Sequence, residues 1–316
     1  MKKFILRIII FGTALLGLAF VADFIVTAGL MKTGDKRGSG YDEFTTWNAV
    51  CSSSIDADVI INGSSRAYRQ VNPFVLDTIL NVNSYNIGMS GVSFEKVYIR
   101  YMTLEKYNRK PKCIIQNIDY STLYFSESVD DRFLPYLPYI EEKKYLTDAT
   151  GFKSNFPFYR YYGRYSLIVR GLMEFFHIKH YPDVRKKGFF VTDEKWDDSA
   201  LNEILQRDSL DAHRQPEAIE LFDSYLNHCK SNNIKVIFVF APIYFKAIEF
   251  TKNKSEVMDI YYYFSEKYNI PILDYSTDLI NNDTSYFFNA NHLNKTGVEL
   301  FSVKLAYDID SLGILK

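Results

Sequence analysis

The chain has 316 residues, an apolar fraction of 47% and a formal net charge of −1. This composition is typical of a globular protein of one or two domains and excludes a disordered chain. A charge balance near zero also excludes a strongly basic nucleic-acid-binding protein. The three cysteines lie far apart and form no metal-binding spacing, so the sequence predicts no metal site, no disulfide framework and no cofactor.

The first 31 residues predict a membrane anchor. Lys2, Lys3 and Arg7 precede an apolar run from Ile8 to Met31, which only Asp23 interrupts. This run is long enough to cross a bilayer as a helix, and positive charge at its start predicts a cytoplasmic N-terminus. A cleaved signal peptide is the alternative, but no small-x-small cleavage site follows a short apolar core. We therefore predict an uncleaved signal anchor in the cell membrane, with the rest of the chain extracytoplasmic.

After a linker and lead-in helix at 32–56, apolar strands alternate with amphipathic helices. Strands are predicted at 58–62, 82–87, 113–118, 236–240 and 271–274, and helices at 73–80, 94–107, 216–231, 256–268 and 295–311. Such alternation predicts a parallel sheet with right-handed crossovers. We expect one α/β domain over 57–316.

The alternation stops between about residues 120 and 213. Aromatic residues crowd this stretch, for example at 156–162 and 175–177. We interpret it as a largely helical insertion that packs over the catalytic edge of the sheet, with most of its aromatic residues in the core. Some of them could form a platform for a sugar or an acyl chain, because tyrosine combines an apolar face with a polar tip.

The first predicted strand runs into the turn Asn62-Gly63-Ser64-Ser65. In open α/β sheets, ligands bind in the crevice beyond the carboxyl ends of the strands. A serine there, beside the free N–H groups of a helix start, is well placed to attack a carbonyl and stabilise the oxyanion. Taken alone, however, the turn is more simply a helix N-cap, for which serine is a preferred residue.

Three blocks of sequence resemble those of the SGNH/GDSL hydrolase superfamily. They are Gly63-Ser64-Ser65, Asn86-x-Gly88-x-Ser90-Gly91 and Asn289-Ala290-Asn291-His292-Leu293. More narrowly, the chain resembles the membrane-anchored, extracytoplasmic bacterial branch related to alginate O-acetylation and teichoic-acid D-alanylation proteins. The resemblance covers roughly residues 57–120 and 233–312. It implies a flavodoxin-like three-layer α/β/α fold.

The resemblance also implies roles for individual residues. Ser65 matches the nucleophile, and His292 matches the base that takes its proton. The backbone N–H groups of Ser65 and Gly91 match the oxyanion hole, where a glycine lets the backbone come close to the substrate. Ser64 occupies the place of the aspartate in the Gly-Asp-Ser block.

Two positions depart from the family pattern. The family usually has an aspartate three residues before the histidine, where this chain has Asn289. An asparagine carbonyl can orient the imidazole, as in Cys-His-Asn enzymes, and Asp274 or Asp283 could serve instead. The Gly-x-Asn-Asp block is absent, so that only Asn117 or Asp119 could add a polar contact at the oxyanion hole.

Arg66, directly after the predicted nucleophile, has two interpretations. A guanidinium recognises carboxylate or phosphate through two parallel hydrogen bonds, so Arg66 could bind an anionic group of a substrate. It could equally form a salt bridge within the fold, and this second interpretation is favoured.

Together these features predict a serine-dependent O-acyl esterase or acyltransferase acting on a cell-surface glycan through a Ser65 acyl-enzyme. The expected partners are an acylated or acyl-accepting glycan, the membrane and a membrane acyltransferase. The alternative is a catalytically silent SGNH-like domain for glycan binding or assembly, which Asn289 and the missing third block favour. A third interpretation is an anchored α/β domain of unrelated chemistry whose serines are only caps.

Overall fold

The computed structural model describes residues 1–35, 43–125, 131–140, 142–150, 167–206 and 210–315. The chain divides into two compact units. The first unit comprises residues 1–52 and 129–184, and the second comprises residues 53–128 and 185–316.

Helices and strands alternate through much of the chain. The helices are α1 (Lys2–Leu30), α2 (Phe44–Cys51), α3 (Ser65–Gln70), α4 (Pro73–Leu80), α5 (Phe94–Tyr107), α6 (Lys144–Thr150), α7 (Leu167–Phe175), α8 (Ser199–Leu205), α9 (Pro216–Ser231), α10 (Phe245–Glu249), α11 (Lys254–Tyr268) and α12 (Lys295–Ser311). The strands are β1 (Val59–Asn62), β2 (Ser84–Asn86), β3 (Cys113–Asn117), β4 (Leu210–Asp211), β5 (Lys235–Phe240), β6 (Thr251–Lys252), β7 (Ile272–Asp274), β8 (Phe287–Asn289) and β9 (His292–Leu293).

A five-stranded parallel sheet forms the centre of the second unit, in the order β2-β1-β3-β5-β7. Ile60 of β1 lies opposite Tyr85 of β2 and Ile114 of β3. Every residue of β1 and β3 is buried, as expected for apolar strands covered on both faces. The predicted mixed α/β fold with a parallel sheet is therefore confirmed.

Local sequence signals account for the helix boundaries near this sheet. The Asn72 side chain accepts a hydrogen bond from the Phe74 N–H, and Pro73 occupies the first helical position of α4. The predicted helices at 73–80, 94–107, 216–231 and 295–311 have the observed bounds. The predicted strand at 82–87 is shorter, since only 84–86 pair with β1.

The stretch from about 120 to 213 does not form a single body. Residues 129–184 belong to the first unit, whereas 185–213 belong to the second. Residues 189–198, the edge segment, join the second unit through backbone hydrogen bonds: Phe190 N–H donates to Tyr68 O, and Asp197 N–H donates to Phe288 O. The aromatic run at 156–162 lies outside the described residues.

The first unit contains the N-terminal helix. α1 is long and apolar enough to cross a membrane, as the sequence predicts. α7 packs against the C-terminal end of α1, where Gly171 meets Val26 and Gly29.

Candidate active site

The turn after β1 depends on Gly63, whose φ is +138°. A Cβ atom at this position would lie 2.7 Å from Asn117 Cβ and 2.9 Å from the Asn117 carbonyl oxygen. Both the backbone conformation and the close approach therefore require glycine. The turn brings the start of α3 against the end of β3, so that Ser64 and Ser65 lie at the carboxyl edge of the sheet.

Ser64 is the N-cap of α3. Its Oγ accepts a hydrogen bond from the Arg66 N–H, at 3.3 Å. The same Oγ lies 3.0 Å from Asn117 Oδ1 and 2.8 Å from Asp119 Oδ2, and donates its hydrogen to these acceptors. Ser64 is also buried. Because its Oγ accepts the Arg66 N–H, the interpretation of the turn as a helix cap is correct for this serine.

Ser65 lies within hydrogen-bond distance of the predicted base. Its Oγ is 2.8 Å from His292 Nε2, and His292 Nδ1 is 3.0 Å from Asn289 Oδ1. The Asn291 N–H donates to the same Asn289 oxygen at 3.0 Å, which orients the amide. Nδ1 therefore carries the hydrogen that Asn289 accepts, and Nε2 presents a lone pair to the Ser65 hydroxyl.

The surroundings of His292 favour a neutral ring. Its ring stacks on Phe288, with centroids 5.5 Å apart and an interplanar angle of 10°. Burial, followed by the positive charges of Arg69 and Arg66, lowers the pKa of His292 from 6.5 to about 3, while Asp119 opposes this shift. At neutral pH the imidazole is thus free to accept a proton.

Asp274 and Asp283, the two alternative partners of His292, lie elsewhere. Asp274 accepts hydrogen bonds from the Ser276 N–H and the Tyr262 hydroxyl. Asp283 accepts one from the Ser285 N–H. Asn289 is therefore the side chain that orients His292 among the described residues, and neither aspartate replaces it.

The predicted oxyanion hole consists of two backbone N–H groups, those of Ser65 and Gly91. Ser65 is the first residue of α3 and Gly91 lies in the loop after β2 at φ +53°. In the described part of the chain, neither N–H donates a hydrogen bond. The Met89 N–H donates to the Gly63 carbonyl at 2.9 Å, which holds the loop beside the serine turn. Neither group is thus engaged by another acceptor of the described residues.

Asn117 and Asp119 do not extend this oxyanion hole, contrary to the prediction. Asn117 Nδ2 donates to the carbonyls of Ile118 at 3.2 Å and Val239 at 3.1 Å. Asp119 accepts hydrogen bonds from Ser64, Arg66 and Ser121. The Asn117 hydrogens are engaged, and the ionised Asp119 has none to donate, so neither side chain can stabilise an oxyanion.

Arg66 is not a substrate-binding residue. Its side chain is 3% exposed, and Nε lies 3.0 Å from Asp119 Oδ2. Nη1 donates to the Ala241 carbonyl at 2.9 Å, and the guanidinium lies 4.5 Å from the centre of the Phe240 ring. The favoured interpretation, a salt bridge within the fold, is correct because acceptors of the sheet edge surround the guanidinium.

Arg69 is the residue that the sequence analysis missed. Its Nε donates to the Tyr68 hydroxyl at 2.8 Å, and its guanidinium lies 5.1–5.2 Å from the ring centres of Tyr68, Phe190 and Phe288. No carboxylate among the described residues pairs with it. Its spacing in the sequence could have identified it, because residues four apart on a helix are neighbours and Arg69 follows Ser65 by four.

The remaining candidate groups have other surroundings. His180 contacts Glu174, His228 contacts Glu105, and all three cysteines are buried. The described residues contain no cluster of three or more His, Cys, Asp or Glu side chains that could hold a metal ion. Comparisons with models of known protein families and with curated proteins find no match to this chain.

Proposed function

We propose that this chain is a serine-dependent O-acyl esterase or acyltransferase of the SGNH/GDSL type, with the flavodoxin-like fold of that superfamily. The observation that carries the proposal is the 2.8 Å contact between Ser65 Oγ and His292 Nε2. A serine becomes an effective nucleophile when an adjacent base takes its proton, and that base is in turn oriented by a third group. Asn289 is that third group.

The reaction follows from these positions. Ser65 Oγ attacks the ester carbonyl while its proton passes to His292 Nε2, and the oxyanion is bound by the N–H groups of Ser65 and Gly91. The tetrahedral intermediate collapses, the C–O bond to the leaving alcohol breaks, and His292 returns the proton to that alcohol. Water or a sugar hydroxyl then attacks the acyl-Ser65 ester with His292 as base, which releases an acid or a new ester.

Asn289 makes this site differ from one with a carboxylate. An amide oxygen fixes the tautomer and orientation of His292 but does not place a negative charge beside the imidazolium that forms during reaction. The developing oxyanion is then the main negative charge that stabilises the His292 imidazolium. We therefore propose a slower chemical step than in Ser-His-Asp enzymes, with the same order of proton transfers.

Aromatic side chains beside the site support a glycan as the substrate. Phe190 and Trp196 of the edge segment are half-buried, and the Trp196 ring lies 4.9 Å from the Tyr244 ring. Aromatic faces with polar tips suit the mixed apolar and polar surface of sugars. Together with α1 as a single-pass anchor, this supports action on a polysaccharide outside the cytoplasm. We propose a membrane acyltransferase as a partner in that reaction.

A catalytically silent glycan-binding or assembly domain is the second candidate. The observation that favours it is again Asn289, which leaves His292 without a carboxylate partner.

Labelling with a fluorophosphonate separates the two candidates. The full chain in mild detergent is treated with the reagent and digested, and the modified peptide is identified by mass spectrometry. We expect phosphonylation of Ser65, and hydrolysis of an acetyl ester by the same preparation. A folded chain that binds glycan but leaves Ser65 unmodified supports the silent domain and contradicts the proposed activity.

Replacing Asn289 with aspartate is expected to raise activity and shift its pH dependence. A carboxylate at Nδ1 favours the charged imidazolium, so the pKa of His292 rises from its low value. Activity of the native chain falls only when His292 becomes protonated near pH 3, whereas in Asn289→Asp this acid limb moves to higher pH. At pH values above this acid limb, turnover by Asn289→Asp should exceed that of the native chain by at least about tenfold. The reason is that loss of the aspartate that orients the histidine costs a serine protease about 10⁴-fold in turnover.

The measurement is a pH profile of kcat/KM for an acetyl ester. Asn289→Ala is the matched control and should lower turnover, because it removes the acceptor that orients His292. An acid limb that stays in place in Asn289→Asp would show that residue 289 does not act on the base.

A further inference from the structure

The half-exposed face of α3 carries two side chains. Along Ser65–Gln70, only Ser65 and Arg69 are partly exposed, and the other four residues are buried. Because Ser65 and Arg69 are four residues apart, their side chains lie on the same side of the helix, with Cβ atoms about 5–6 Å apart. The candidate nucleophile thus has a cation one helical turn away.

Arg69 is held in place without an anionic partner. Its Nε hydrogen bond to Tyr68 and the three surrounding rings fix the guanidinium, while Phe288 also stacks on His292. Asp119, the acidic group that acts on His292, is already paired with Arg66. The Nη1 and Nη2 hydrogens of Arg69 donate to no group in the described part of the chain.

We propose that Arg69 binds an anionic oxyacid group, carboxylate or phosphate, on the substrate whose ester Ser65 attacks. The planar guanidinium can give two parallel hydrogen bonds to such a group, and the aromatic walls limit competition from water. The site then prefers an ester that carries such an oxyacid group over a neutral ester. This inference rests on the proposed function, and Arg69 takes the role that the sequence analysis considered for Arg66.

A binding experiment tests the site independently of turnover. The full chain carrying Ser65→Ala is titrated by calorimetry with 4-hydroxybenzoate, its neutral methyl ester and phenyl phosphate. We expect an anion to bind at least about tenfold more tightly than the neutral ester, and whichever anion binds more tightly identifies the oxyacid. Arg69→Met in the same background should abolish the preference, and Arg69→Lys should keep part of it.

Turnover gives the matching kinetic readout. With Ser65 present, Arg69→Met should raise KM for 4-acetoxybenzoate about tenfold more than it raises KM for methyl 4-acetoxybenzoate. An equal affinity for anion and neutral ester in Ser65→Ala, or a preference that survives in Arg69→Met, overturns the anion site. Absence of turnover by the native chain contradicts the proposed esterase function instead, so the two failures are distinguishable.

A second, independent observation concerns the first unit. The exposed apolar residues of α1 extend to Phe24, whereas Val26, Gly29 and Leu30 are buried. The stretch from Lys3 to Phe24 is about 32 Å long as a helix, which matches a hydrocarbon core of about 30 Å. α7 contacts α1 where this stretch ends, through the backbone of Gly171 against Val26 and Gly29.

α7 and the turn after it carry apolar side chains that remain exposed. Ile168, Val169, Phe176 and Ile178 are 42–72% exposed. α7 therefore contacts α1 at the depth in the bilayer where α1 leaves the hydrocarbon core. We infer that this apolar surface lies in the membrane interface, as a second contact with lipid beside the spanning helix.

Fluorescence quenching tests this inference in the full chain reconstituted into nanodiscs with brominated lipids. An environment-sensitive dye is attached to Ile178→Cys, to Leu16→Cys in α1, and to Asp259→Cys, an exposed position of α11. We expect strong quenching at 16 and 178, at least about threefold greater than at 259. Quenching at 178 that equals the value at 259 overturns the inference, whatever the result at 16.

Discussion

Replacing Ser65 with alanine is expected to reduce ester turnover by about 10⁴-fold or more and to abolish fluorophosphonate labelling. The substitution removes the atom that forms the acyl-enzyme, and removal of a serine nucleophile costs a comparable enzyme about 10⁶-fold. The fold should be retained, because Ser65 is half-exposed and its hydroxyl contacts the partly exposed His292 ring. Turnover of an acetyl ester at saturating and limiting concentrations gives the measurement.

Ser64→Ala is the matched control, one residue away in the same turn. It removes a buried hydroxyl that caps α3 and contacts Asn117 and Asp119, so stability should fall by about 1–3 kcal/mol. Labelling should still occur at Ser65. If Ser64→Ala abolishes labelling in a folded chain while Ser65→Ala preserves it, the assignment of the nucleophile is wrong.

The second large effect is expected at the buried pair of Arg66 and Asp119. Asp119→Ala leaves the Arg66 guanidinium buried without a counter-charge, which typically costs about 3–5 kcal/mol of unfolding free energy. Burial by itself raises the pKa of Asp119. The charge and hydrogen bond of Arg66, together with the hydrogen bond of Ser64, lower this pKa by more than burial raises it, so the net shift is downward. This contribution to stability is present above the unfolded pKa near 3.9 and is lost as pH falls through the lower folded value.

Denaturant unfolding in mild detergent measures this effect, with Asp56→Ala as the control. Asp56 pairs with Arg109 at 2.7 Å, but the two side chains are 74% and 46% exposed, so its loss should cost less than about 1 kcal/mol. The double variant Arg66→Met, Asp119→Ala should be more stable than the sum of the single changes predicts, since it removes both charges. Equal costs for the buried and exposed pairs would contradict the role given to Arg66.

Much of the sheet could be predicted because its strands are buried on both faces. Stretches such as Val59–Ile61 and Val236–Phe240 are nearly continuous apolar runs, and glycine or proline marks their ends. The prediction that Ser65 and His292, 227 positions apart, would lie together depended on the family resemblance. The parallel sheet alone explains only the position of Ser65, because His292 lies in the separate antiparallel pair of β8 and β9.

The polar partners within the site could not be predicted in the same way. Arg66 and Arg69 are three residues apart, and only packing decides that one faces Asp119 and the other the open side of α3. Asn117 carries an amide that suits an oxyanion hole, yet backbone carbonyls at the strand ends engage both of its hydrogens. Such choices depend on tertiary contacts, which spacing in the sequence does not record.

The position of His292 near the end of the chain has a consequence for biosynthesis. His292 precedes α12, which packs on α3 and α4, the helices that follow the nucleophile turn. A chain synthesised from its N-terminus therefore presents Ser65 long before His292, which follows 227 positions later. In the proposed enzyme, a nascent chain that has not reached His292 holds the nucleophile without its base, so we expect it to be inactive until α12 packs on α3 and α4.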